Sequence, residues 1–193
     1  MKTPISHPQT KTKQRWQLKD YVFAAFMTIG IAISSILTVP LTIAIPLPGI
    51  RTIVWAPLAG IFLTLGMAKL QRRGSVALMI GSLAIILSRT SLIITAFLAA
   101  ALLLTELIMW TRGGYKTKAN RLLGNIVFFS TTTVTGALVG AYVAGGNFAA
   151  WLTQSWILIP MTILSGIAGG FGWWLGELVI KQLQRAGKLD VDI

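Results

Sequence analysis

From Tyr21 to Ile180 the chain is a succession of long apolar runs almost free of charge, separated by short connections in which arginine, lysine, glycine and proline gather. A run of about 20 apolar residues is the length at which a helix crosses the hydrocarbon core of a bilayer. In lipid every backbone N–H and C=O must be satisfied within the segment itself, so such runs fold as helices. Six fit, roughly Tyr21–Val39, Ile53–Leu70, Val76–Leu87, Ser91–Trp110, Leu122–Gly145 and Ser155–Ile180. The third has about a dozen residues, too few for a full crossing, and is expected to be short and tilted or partly re-entrant. Composition agrees: 54% of the 193 residues are hydrophobic and 11% are charged, against about 25% charged in soluble domains. A soluble fold would need a larger core than a chain of this length encloses.

The expected fold class is an all-α membrane protein, a bundle of six transmembrane helices. Residues 1–20 form a basic arm, 21–182 the helical domain and 183–193 a tail. The arm, "MKTPISHPQTKTKQRWQLKD", has no short apolar stretch before a small-residue cleavage site, so it is read as part of the protein and not as a signal peptide.

The cations orient the bundle. With the N-terminus inside, the inner segments hold Lys2, Lys11, Lys13, Arg15 and Lys19; Lys69, Arg72 and Arg73; Arg112, Lys116, Lys118 and Arg121; and Lys181, Arg185 and Lys188. That is fifteen of the seventeen basic residues, leaving Arg51 and Arg89 outside. By the positive-inside rule both termini are expected to be cytoplasmic, in the cell membrane. The net charge of +12 is then a topogenic signal matched to anionic headgroups, and nucleic acid is not an expected partner.

The two outward arginines are the polar exceptions. Arg51 follows "IPLPG" at the start of the second run, with Trp55 one turn on and able to share its helix face. The prolines hold Ile45 to Gly49 extended. A stiff loop carrying arginine and tryptophan suits a lid over a ligand; an arginine snorkelling to headgroups beside a belt tryptophan is the alternative. Arg89, in "ILSRTS", admits the same two readings. Together the pair would hold an anion, since guanidinium binds carboxylate or phosphate bidentately. The third outer loop, "GGNFAAWLTQSW", adds Asn147, Trp151 and Gln154, amide and indole groups that suit a small organic molecule. Hydroxyls at Ser130 to Thr133 and Thr135 either bond back to their own helix or line a ligand face. Glu106 stands as an acid deep in the fourth run, a group for pairing or proton coupling.

Small residues recur four apart at Gly136, Gly140 and Ala144, at Gly166 and Gly170, and at Gly172 and Gly176, a spacing that lets helices approach closely. In the first run Ala24, Thr28 and Ala32 form a stripe read as a face for another subunit. No catalytic pattern is present: no Ser–His pair, Walker sequence, aspartate cluster or cysteine, and one histidine, His7, beside Pro8 in the arm. The chain is expected not to be an enzyme and to need no cofactor or metal.

Size, six helices, the basic arm ending "WQLKDYVFAAF", the first outer loop "PLTIAIPLPGIR" and the glycine-rich last helix "SGIAGGFGWWLGELVIKQLQRAGKL" resemble the substrate-binding S component of an energy-coupling factor (ECF) transporter. The resemblance implies capture of a vitamin-like, anionic organic micronutrient from outside, in a pocket under the first outer loop. It implies docking on a transmembrane coupling subunit driven by two cytoplasmic ATPases. Members carry an alanine-x-x-x-alanine pattern in the first helix that faces that subunit; Ala24, Thr28 and Ala32 match it with one threonine for alanine. Nickel and cobalt members use extracellular N-terminal histidines, which a cytoplasmic His7 does not match. Two other functions stand beside this one: a stand-alone secondary carrier coupled through Glu106, and a membrane assembly protein with no small-molecule site.

Overall fold

The computed structural model describes residues 16–42, 49–144 and 155–187. Among these residues there are six α-helices and no strand: α1 (Leu18–Thr42), α2 (Ile50–Leu70), α3 (Ser75–Leu87), α4 (Leu92–Thr111), α5 (Lys118–Val139) and α6 (Ser155–Arg185). The last turn of α5 loosens into a π-helical turn over Gly140–Ala144. All but α3 are long and apolar enough to cross a membrane, which makes the chain a multi-pass membrane protein. α3 has 13 residues and rises only about 20 Å, against about 30 Å of hydrocarbon.

Each expected run is thus a helix, and the ends move by a few residues where capping groups extend them. Asp20 accepts from the Gln17 amide at 3.0 Å and fixes the start of α1. Ser91 and Thr117 accept from the amides of Ile94 and Asn120, at 3.3 and 3.2 Å, and open α4 and α5. α2 closes at Gln71, whose amide returns to the Met67 carbonyl at 2.9 Å with φ at 54°, the left-handed C-cap geometry.

Sequence neighbours pack antiparallel. α1 meets α2 through Trp55 on Ser34 and Phe62 beside Gly30; α3 meets α4 through Thr95 on the Ala84 carbonyl. α2 and α6 run parallel and cross at Gly60 and Gly172, where a Cβ on Gly172 would lie 2.6 Å from the Ala56 carbonyl oxygen and 2.9 Å from the Gly60 Cα. Glycine is required at this crossing because backbone, not side chain, is the neighbour. Gly166 and Gly176 likewise meet Ser130 and Thr64 inside the bundle, whereas nothing lies within 4 Å of the space above Gly136.

Hydrophobic burial gives helices little reason to associate once lipid surrounds them, so polar contacts and close packing hold the bundle. Thr28 of α1 reaches the Met79 carbonyl of α3 at 3.0 Å. Thr135 of α5 reaches the Phe97 carbonyl of α4 at 3.1 Å, and Thr133 donates to Ser165 of α6 at 2.6 Å. Each such bond contributes about 0.6 kcal/mol on average in a membrane setting. The outside is apolar: Trp156, Ile159, Ile163, Ile167, Phe171 and Trp174 expose one continuous stripe of α6, as a lipid-facing surface requires.

Replacing Gly172 with valine should push α2 and α6 apart and lower stability in detergent by about 1–3 kcal/mol. Gly136→Val, in open space, should melt with the parent; equal melting of both variants would show that the crossing does not hold the bundle.

Candidate functional site

The connections α2–α3 and α4–α5, together with the start of α1 and the finish of α6, lie at one end of the bundle, here the basic end. The opposite end carries the start of α2 and the α3–α4 turn, and with them Arg51 and Arg89, both exposed. The described acidic residues, Asp20, Glu106 and Glu177, all belong to the basic end, so neither arginine has a described carboxylate at its own end. Asn147, Trp151 and Gln154 lie outside the described residues.

Trp55 parts from Arg51. It is 9% exposed, and its Nε1 donates to Ser34 Oγ at 3.0 Å and to the Ile31 carbonyl at 3.3 Å. Its ring meets Phe129 edge-on at 5.5 Å and Phe128 at 6.4 Å. The expectation that Trp55 shares an exposed face with Arg51 is therefore corrected: with the indole N–H donated to α1 and both phenylalanine rings packed against it, Trp55 is a plug in the core beneath Arg51. The turn before α2 closes over the same region, since the left-handed Gly49 sits against Thr133 and Met161. The hydroxyl cluster is also committed. Thr131 and Thr132 return to the Val127 and Phe128 carbonyls at 2.7 Å, while Thr133 and Thr135 bridge to other helices as described above.

The stripe Ala24, Thr28 and Ala32 is turned inward. Ala24 and Thr28 are buried and Ala32 is half-buried against the same core. It is a face for α2 and α3 and not, in this arrangement, a face open to another subunit; small residues served helix contact within the chain. The exposed side of α1 carries Phe26, Ile29, Ile33 and Ile36 instead.

Glu106 is engaged at a helix start. Its carboxylate accepts from the amides of Gly74, Val76 and Ala77 at 2.9, 3.0 and 3.1 Å. Gly74 has no side chain with which to cap α3, so an acid from α4 caps it across the helix pair, where the helix dipole favours negative charge.

The deeper acid is Glu177, which the sequence reading passed over. Its Oε1 accepts from Arg121 Nε at 2.8 Å, with the two side chains 8% and 2% exposed. Arg121 also donates to the Lys116 carbonyl at 3.1 Å. Arg121, counted in the sequence among loop cations, is thus an interior residue at the start of α5. One turn on, Asn125 donates to Thr64 Oγ1 and to the Arg121 carbonyl, each at 3.0 Å. A polar seam therefore joins α2, α5 and α6 at the basic end. Asn125 Oδ1 and Tyr115 Oη are buried with no hydrogen-bond partner among the described residues. Tyr115 sits in the α4–α5 connection, against Gly124, where burial first and the Glu106 carboxylate second push its phenol well above the ordinary tyrosine range. The signal for Glu177 was present: a carboxylate in the apolar run Ser155–Ile180 needs a partner, and a cation at the edge of a neighbouring run can supply one.

No family model, curated protein or solved structure matches the chain. Among the described residues no group of three or more His, Cys, Asp or Glu side chains is placed to hold a metal.

Glu177→Gln should destabilise the protein in detergent by about 3–5 kcal/mol, because Arg121 would remain buried without a counter-charge. The double replacement Arg121→Met with Glu177→Leu should recover most of that loss. Equal melting of the single variant and the parent would show that the pair carries no stabilising role.

Proposed function

We propose that the chain is the substrate-capture subunit of an ECF-type importer, with six spans and both termini in the cytoplasm. On this reading it binds an anionic organic micronutrient from outside and docks on a coupling subunit driven by two ATPases. The observation that carries the reading is the unequal pair of bundle ends. Arg51 and Arg89 are exposed at the end where no described acid lies, so an external anion is their natural counter-charge. At the other end the seam of Arg121, Glu177, Asn125 and Thr64 is closed within the protein, as a subunit that binds but does not itself conduct would require. That ten of the twelve described cations are at that end accords with its lying in the cytoplasm. Trp55 and the hydroxyls of α5 are then the floor under the captured molecule, and contact with the coupling subunit falls to exposed faces such as that of α1 around Phe26 and Ile33.

A self-sufficient carrier is the second reading, favoured by the buried Arg121–Glu177 pair, since ionisable groups within spanning helices mark ion and proton paths. Affinity purification followed by native mass spectrometry separates the two. Capture of an organic acid together with ATPase subunits supports the importer; proton-gradient-driven uptake by the chain alone in liposomes overturns it. Arg51→Ala and Arg89→Ala should each weaken uptake of the acidic nutrient by about tenfold, the equivalent of one lost charge-assisted contact, at unchanged protein abundance. Parallel loss of abundance and uptake would assign the arginines to insertion or folding.

A further inference from the structure

A groove of about 290 Å³ opens on the surface of the basic end, lined by Arg73, Leu103, Glu106, Leu107 and Trp110. Leu103, Leu107 and Trp110 recur at helical spacing on one face of α4 and are all exposed. They cover about two helical turns, roughly 10 Å of rise, from Leu103 nearer mid-bundle to Trp110 near the α4 terminus. Arg73, exposed, stands at the mouth from the α2–α3 turn. That turn is held from behind: a Cβ on Gly114 would lie 3.2 Å from the Arg73 amide nitrogen, so the α4–α5 connection packs directly on it. Arg72, by contrast, is engaged over the Trp16 ring at 5.3 Å. Glu106, the acid in the groove lining, has its two oxygens bonded to the three amides at the start of α3, where the helix terminus offsets part of its charge.

We propose that this groove is a binding site for an anionic phospholipid, with Arg73 on the headgroup phosphate, Trp110 at the level of the glycerol backbone and Leu103 and Leu107 along an acyl chain. An aliphatic wall below a cation and an interfacial tryptophan reproduces the order of groups along a phospholipid from chain to headgroup. The exposed stripe of α6 also reaches a cation, passing from Trp174 through Leu178 to Lys181, so what marks the α4 site is the groove that joins its cation, tryptophan and leucines. The site is at the far end from Arg51 and Arg89 and is independent of what those residues capture.

The test uses the full chain, delipidated in dodecyl maltoside and titrated with dioleoyl phosphatidylglycerol or dioleoyl phosphatidylcholine, read by melting midpoint and by lipids retained in native mass spectrometry. Phosphatidylglycerol should raise the midpoint and remain as a bound lipid, and phosphatidylcholine should do neither at the same concentration. Arg73→Gln should weaken the phosphatidylglycerol effect by about fivefold, the equivalent of one cation at a lipid surface. Leu103→Trp, which fills the groove from an exposed position, should weaken it as well. Lys181→Gln, an exposed cation of the same end on α6, should leave it intact. If Leu103→Trp lowers the lipid-free midpoint, the comparison of Arg73→Gln with Lys181→Gln decides. Equal effects of the two lipids, equal losses in Arg73→Gln and Lys181→Gln, or no retained lipid would each overturn the site.

Discussion

The contact on which the bundle depends is the crossing of α2 and α6, where Gly60 and Gly172 bring two backbones together. In lipid, apolar side chains gain little by leaving acyl chains for one another, so close packing and polar contacts must supply the association. The glycine crossing supplies the first directly. It also sets the second, because α6 drawn against α2 brings Gly176 to Thr64, and the next residue, Glu177, meets Arg121 of α5. Asn125 then closes the seam between α5 and α2. A side chain at either glycine would loosen the crossing and the seam together.

The two described glutamates illustrate how different environments give one residue type different work. Glu106 meets three backbone donors at a helix start and needs no cation; Glu177 meets a guanidinium and leaves α6 joined to α5. Both are compensated, as a low-dielectric surrounding demands of any carboxylate that is not left neutral. Neither is available at low energetic cost to a substrate. The exposed arginines of the opposite end are the contrasting case, since their charge is open to whatever arrives there.

The number, order and approximate limits of the helices could be read from the sequence because they follow from local properties. An apolar run long enough to span, bounded by Ser91, Thr117 or a left-handed glycine, has few alternatives to a helix in lipid. The shortness of α3 was equally plain, being a matter of counting between Arg73 and Arg89. Side-chain direction was not. Arg51 and Trp55 stand one turn apart, yet one is exposed and the other is enclosed by Ser34, Phe128 and Phe129. Spacing along α2 could not show this, because the enclosing groups come from α1 and α5. The same holds for Ala24, Thr28 and Ala32: the stripe was visible, but whether it met this chain or another depended on where α2 and α3 lay.

What the sequence by itself determined is the part governed by transfer between water and lipid: six helical segments, five of them able to span, and an uneven distribution of cations between the connections. Those are sums over single residues and need no knowledge of neighbours. What only the tertiary structure decided is pairing. Arg121 became an interior partner and not one more loop cation, Glu106 became the cap of a helix other than its own, and Arg73 came to stand over an aliphatic groove on α4. Each joins residues about 30 or more positions apart, and that juxtaposition is set by how the helices cross, which no local pattern encodes.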